Sequence, residues 1–316
     1  MKVEDFIKEP KVSIIITFYN LGKFIQNCIN SIHAQTYQNF EIIIVNDCSD
    51  EKNSNILEKI ENSKVKIITL KENLGQLGAF LKGLEYAKGE FICMVDADDV
   101  LLPNYLKTLL YVHLNSNVAL VSSAKGEINE SGEVTFLNSK IPKEISYNKI
   151  ENLLKTDDSF EIKKVKAPFA LWSWNPSTSA MVRKSALDIV KLYPDIKYWK
   201  SGADKVIFSF LHLIGGSINI SAVCFLYRVH KANSFNTSTN AGDKKYLKED
   251  CIKKLINWNK KLRLDAVKMF WTNRKELIEK YNKINYIKMF LRIIFCINIK
   301  VCAKILKTFA HKIVNI

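Results

Sequence analysis

Four short runs of apolar, largely β-branched residues recur near the start of the chain: VSIIITF (12–18), FEIIIVN (40–46), VKIITL (65–70) and EFICMV (90–95). A strand that is apolar at nearly every position, not at every second one, is covered on both faces. That arises where helices cross over between parallel strands. The intervening segments, Gly22–Thr36, Asp50–Asn62 and Gly75–Lys88, are long enough to be those helices. The pattern predicts an α/β fold with a mostly parallel, Rossmann-like sheet flanked by helices. In such sheets ligands sit beyond the carboxyl ends of the strands, so the residues following each run are where chemistry is expected.

Those residues are polar. Tyr19 and Asn20 follow the first run, Asp47 the second (in VNDCSD), Asn73 and Gly75 the third (in ENLG), and Asp96, Asp98 and Asp99 the fourth. The chain has neither a GxGxxG after its first run nor a GxxxxGK[ST], so no glycine cradle for phosphate is available. If the chain stays extended past Val95, Asp96 and Asp98 share a face across Ala97. Two such carboxylates suit a hard divalent cation, Mn2+ or Mg2+, together with a ribose hydroxyl. Asp99 then falls on the opposite face and is read as a cap for a helix running from Pro103 to Leu120.

Further along, ALVSS (119–123) reads as another strand and 125–165 as irregular. ALWSWNP carries Trp172 and Trp174, either a platform for a sugar face or a pair of core side chains. In SGADKVIF, Asp204 stands at a predicted helix start, where the helix dipole lowers a carboxylate pKa. The spacing of Ser201 and Asp204 also fits a capping box. YRVHKANSF offers Arg228, whose guanidinium can fork onto a diphosphate, and His230, a metal ligand or phosphate donor.

Charge is concentrated at the far end. The net charge of +15 includes sixteen Lys/Arg against three Asp/Glu between Cys251 and Ile316, a difference of +13. A basic character confined to the tail argues against a nucleic-acid partner and for one anionic surface. The tail, NYIKMFLRIIFCINIKVCAKILKTFAHKIV, suits a helix in a membrane interface, or one packed on the enzyme or on another copy. No apolar stretch approaches the roughly 18 residues that span a bilayer. Seven scattered cysteines and an N-terminus without a signal-like core point to a cytoplasmic protein.

VSIIITFYN, IIIVNDCSD, the NLG of ENLGQLG and YAKGEFICMVDADD together resemble the family 2 glycosyltransferases, in order and in spacing. The resemblance is strong over roughly the first 110 residues and weaker to about 235. It implies a GT-A fold in a domain of residues 1–240, with a nucleotide-binding half at about 10–123 and an acceptor half at about 165–235. Residues 241–316 would form a basic helical C-terminal region for membrane association or an oligomer contact. It further implies that Thr17, Tyr19, Asp47, Asn73, Asp96 and Ala97 line the nucleotide-sugar pocket. Asp98, with His230, would hold the metal, and Asp204 would be the base of an inverting transfer. Two departures stand out: AFL at 79–81 where an ARN-like stretch is common, and Ala203 where a Glu precedes the base.

The expected activity is transfer from a UDP-hexose or UDP-N-acetylhexosamine to a bacterial surface glycan or its lipid-linked precursor. It would take place at the cytoplasmic face of the inner membrane. A sugar nucleotidyltransferase, or a non-catalytic glycan- or membrane-binding protein on the same fold, are the alternatives at this stage.

Overall fold

The computed structural model describes residues 9–60, 63–137, 160, 162–166, 169, 174, 176–231, 233 and 249–295. Strands β1 (Val12–Phe18), β2 (Phe40–Asn46), β3 (Val65–Thr69) and β4 (Phe91–Asp96) coincide with the four apolar runs to within one residue. Helices α1 (Gly22–His33), α2 (Glu51–Glu58) and α3 (Gly75–Leu84) lie between them. The pairings β3–β2, β2–β1 and β1–β4 are all parallel.

Beyond β4 the sheet becomes mixed. The two-residue β5 (Val100–Leu101) leads to helix α4 (Tyr105–Leu114), shorter than the expected Pro103–Leu120, and then to β6 (Leu120–Ile128). β7 (Val134–Leu137) forms a hairpin on β6, and β8 (Ile162–Lys164) pairs with β10 (Ser217–Arg228). Much of the described part of 125–165 is therefore strand. The four-residue β9 (Ala180–Arg183) inserts antiparallel between β4 and β6, giving the order β3-β2-β1-β4-β9-β6-β10-β5. Four residues show no periodicity, which is why β9 is silent in the sequence.

The remaining helices are a single turn, α5 (Asp188–Lys191), then α6 (Ala203–Gly215), α7 (Glu249–Thr272), α8 (Arg274–Tyr281) and α9 (Lys283–Phe295). Alternation within β1 and β2 explains the layers. Ile14, Ile16, Ile42 and Ile44 face α1 and α4, while Ile15, Ile43 and Val45 face α3 and α6. Each face thus has its own apolar layer, as a doubly covered sheet requires.

The C-terminal helices are part of the second layer. Leu262, Ala266 and Phe270 of α7 and Met289, Phe290 and Ile293 of α9 are buried in the same cluster as Phe80 and Phe210. Polar ties accompany this packing. The Tyr193 hydroxyl donates to Asp265 of α7 at 2.7 Å, the Trp199 indole donates to Tyr193 at 3.0 Å, and Lys261 bridges Asp195 and Asp265 at 2.8 Å each. Ending the chain at residue 248 would expose this layer. The shortened protein is expected to aggregate or to lose its cooperative unfolding transition by calorimetry, whereas a loosely attached tail would leave the melting curve unchanged.

Candidate active site

A cleft of about 820 Å³ opens beyond the carboxyl ends of β1, β2 and β4. Thr17 and the half-exposed Tyr19 line it from β1. At the end of β1, Asn20 adopts a positive φ of 54° and ties to the loop after β2: its N–H donates to Ser49 Oγ and its Oδ1 accepts the Asp50 N–H. In that loop Asn46, not Asp47, makes the local turn by accepting the Ser49 N–H.

Asp47 reaches across to the β3–α3 loop. Its carboxylate oxygens accept the N–H groups of Leu74 (2.7 Å) and Gly75 (2.9 Å), and Asn73 Nδ2 donates to its carbonyl at 3.1 Å. Burial raises the Asp47 pKa, and the two backbone donors oppose that rise. Gly75 is required here twice over. Its φ is +75°, and a Cβ would lie 2.6 Å from Lys200 Cα. The loop therefore abuts the segment leading into α6, and the N–H groups of Gln76 and Leu77 donate to the carbonyls of Lys200 and Trp199.

The acidic stretch departs from the expected geometry. β4 ends at Asp96 and the Asp99 N–H donates to the Asp96 carbonyl at 3.1 Å, so DADD is a tight turn, not extended chain. Asp96 and Asp98 line the cleft all the same, while Ala97 is fully buried in the apolar layer beneath and does not contact the cleft. Asp99 is no helix cap. It is fully buried and accepts the Arg228 N–H at 3.0 Å, and α4 starts behind Asn104.

Arg228 also differs from expectation. It is buried; Nε donates to the Asp98 carbonyl at 2.8 Å, Nη1 to the carbonyls of Asn129 and Glu130, and the guanidinium stacks over Phe24. It holds the acidic turn and does not line the cleft, where a fork onto a diphosphate was expected. His230 does reach the cleft, with Nε2 2.8 Å from Asp98 Oδ2 and its ring against Phe24. Asn233 Nδ2 approaches the same oxygen at 3.4 Å.

Of the two tryptophans, Trp172 lies outside the described residues. Trp174 is a core residue: its indole donates to Ser217 Oγ and packs on Phe208 and His212. The aromatic wall comes instead from Trp258 of α7, which lines the cleft and packs on Trp199 at 5.4 Å. No local signal marks Trp258, because only long-range packing brings it there.

Gln76 is the other residue that the motifs do not reveal. Its Nε2 donates to Asp96 Oδ1 at 2.8 Å and its Oε1 accepts the Ala203 N–H at 3.0 Å, at the first turn of α6. Ser177 Oγ donates to the other Asp96 oxygen. Burial and the neighbouring Asp98 raise the Asp96 pKa to about 6.

Asp204 faces the cleft from α6. Gly202, with φ +75°, and not Ser201, is the residue that caps the helix start. The dipole effect expected of a helix start is outweighed. Burial, and then the charge of Asp96, raise the Asp204 pKa to about 7, while the Lys205 N–H bond opposes the shift. Burial lowers the Lys205 pKa to about 8. Lys125, Lys200 and Lys205 also line the cleft, which suits an anionic ligand.

Asp98 and His230 are the residues that would hold a divalent cation. A carboxylate oxygen and an imidazole nitrogen lie together at Asp98 and His230, at the mouth of the acidic turn. Among the described residues no cluster of three His, Cys, Asp or Glu side chains could hold a metal unaided. Mn2+ or Mg2+ there would complete its shell with water and ligand oxygens, as magnesium commonly does.

Residues 13–187 match the family described as Glycosyl transferase family 2. The chain is 28% identical over 235 residues to an uncharacterized glycosyltransferase of Nostoc sp., alr2836, covering 73% of this chain and 68% of that protein. It is 31% identical over 139 residues to the Escherichia coli UDP-Glc:alpha-D-GlcNAc-diphosphoundecaprenol beta-1,3-glucosyltransferase WfgD, covering 44% of this chain and 54% of that one. The crystal structure of S. aureus TarS 1-349 in complex with UDP-GlcNAc superposes with a TM-score of 0.56 at 18% identity, over 91% of this chain and 82% of that one. That likeness is one of fold, and it matches the GT-A arrangement of a mixed sheet flanked by helices.

An acid whose folded-state pKa lies above its unfolded value holds its proton more tightly when folded. Stability from Asp204 is accordingly present below about pH 4 and is lost as pH rises towards 7. Asp204→Asn is expected to flatten this decline and to stabilise the protein by roughly 2–4 kcal/mol above pH 7, measured by urea unfolding between about pH 4 and 8. Parallel wild-type and variant curves would show that Asp204 is not held protonated.

Proposed function

The chain belongs to glycosyl transferase family 2 and is a transferase; from that premise we propose that it moves a sugar from a UDP-hexose or UDP-N-acetylhexosamine to a hydroxyl of a bacterial surface glycan or its lipid-linked precursor. The observation that carries this reading is Asp204, buried at the wall of the cleft that Asp96 and Asp98 share, with a pKa of about 7. A base tuned near neutral pH can take the proton of an attacking hydroxyl, and it is half ionised where the cell operates. WfgD, which is named for UDP-Glc, and TarS, solved with UDP-GlcNAc, support uridine as the nucleotide.

Each group has one task in this reading. Thr17, Tyr19, Asp47, Asn73 and Asp96 surround the nucleoside, and the lysines of the cleft face the diphosphate. The acceptor enters beside Trp258 and Asp204. Its hydroxyl oxygen attacks the anomeric carbon on the face opposite the diphosphate, its proton passes to an Asp204 oxygen, and the carbon–oxygen bond to UDP breaks with the electron pair leaving on the diphosphate. The anomeric centre is inverted. A divalent cation held by Asp98 and His230 would supply charge for the diphosphate oxygens. The enzyme works at the cytoplasmic face of the membrane that carries its acceptor.

Release of nucleoside diphosphate from a panel of UDP, GDP and dTDP sugars, with manganese and an acceptor mixture, tests the donor class. UDP sugars are expected to be used; silence across the panel would sink the proposal. With the accepted donor, Asp204→Asn should lower kcat by about 10³-fold with a small change in donor KM. The wild-type kcat/KM should rise with pH to a plateau above about 7. Full turnover in that variant would remove Asp204 as the base.

A further inference from the structure

Helix α9 is apolar on two sides. Its inward side chains Tyr286, Met289, Phe290, Ile293 and Ile294 are buried in the core. Outward, Ile284, Ile287 and Leu291 are 66%, 44% and 42% exposed. Nine large apolar side chains are exposed among the described residues; six are scattered and these three share one helix. At 3.6 residues per turn they fall within a sector of about 60°. That is a continuous stripe, not chance exposure.

Charge frames the stripe on both sides. Lys288 and Arg292 lie along one edge and Lys283 along the other, all exposed. No acid follows Glu279, while Lys300, Lys304, Lys307 and Lys312 add to the same sign. A second copy pairing through this face about a two-fold axis would bring Lys and Arg rims against each other. An aliphatic strip between cationic rims fits a surface that is apolar inside and anionic outside. Among the described residues, no helix is long and apolar enough to cross a membrane.

We propose that this face of α9 docks on an anionic lipid surface, with Ile284, Ile287 and Leu291 in the headgroup–acyl boundary and Lys283, Lys288 and Arg292 on the headgroups. The inference stands apart from the transferase reading, since it concerns a face other than the cleft. Where both hold, docking keeps the cleft beside a lipid-linked acceptor.

The test is sedimentation of the full chain with vesicles of phosphatidylcholine alone and of phosphatidylcholine containing phosphatidylglycerol. Wild-type protein is expected to bind only the anionic vesicles and to be released by high salt. Both I284N/I287N/L291N and K283Q/K288Q/R292Q should weaken binding about tenfold or more, with an unchanged circular dichroism spectrum and melting curve, because all six residues are exposed. Turnover of a water-soluble acceptor should be untouched in both, so loss of docking and loss of transferase activity read out separately. Absence of wild-type binding, or undiminished binding by the apolar triple variant, overturns the proposal. So does a dimer, seen by light scattering, that the triple variant dissolves while wild-type protein ignores vesicles.

Discussion

The side-chain amide of Gln76 joins the two halves of the cleft. Its nitrogen donates to Asp96 at the end of β4 and its oxygen accepts the Ala203 N–H at the start of α6. One planar group therefore fixes the distance between the acidic turn and the helix that carries Asp204. Its own position is set by the β3–α3 loop, which Asp47 clamps through two backbone N–H groups and which lies in close backbone contact with Trp199 and Lys200. Asp47 and Gln76 act as successive links of one chain, running from β2 to the start of the helix that carries Asp204. Neither a carboxylate, which only accepts, nor an ammonium, which only donates, could replace the Gln76 amide, which does both in the required directions.

The same closeness explains the protonation behaviour. Asp96, Asp99 and Asp204 are raised by burial first and by neighbouring carboxylates second. A site crowded with acids would be costly if all were ionised. It is kept affordable by donors aimed at individual oxygens: Gln76 and Ser177 on Asp96, the Arg228 N–H on Asp99, the Lys205 N–H on Asp204. An incoming cationic or proton-bearing partner relieves the rest. The cleft thus presents its acids at the turn after β4 and its lysines along the rest of the wall, the charge pattern on which the proposed function draws.

The strands were legible because burial on both faces leaves a mark that does not depend on distant residues. Which acids line the cleft was legible too, although for the wrong reason: the turn after Asp96, not an extended backbone, brings Asp98 round. Where the reading failed, the cause was non-local. The sign of the Asp204 shift follows from burial at the cleft wall and from the charge of Asp96, against a dipole argument confined to one helix turn. Arg228 looked like an anion ligand in its motif, but the register of β10 beside β5 turns it to the carbonyls of the acidic turn. Trp174 and Trp258 are alike in composition and opposite in role, since a single tryptophan gives no sign of whether it faces a core or a cleft.

The basic C-terminal region left three readings open: peripheral membrane contact, packing on the enzyme, and contact with another copy. The described helices pack inward on the enzyme, and α9 also leaves an exposed outward face. Inward, α7 places Trp258 against Trp199 and within van der Waals reach of Gly202, so that a Cβ on that glycine would meet the indole at 2.5 Å. This contact fixes the backbone just ahead of Asp204. Outward, α9 leaves an aliphatic stripe between cations. A helix that must serve both sides needs apolar residues around most of its circumference, with charge confined to narrow margins. That is why its sequence reads as apolar residues interrupted by lysine and arginine, and why composition alone could not decide among the three readings.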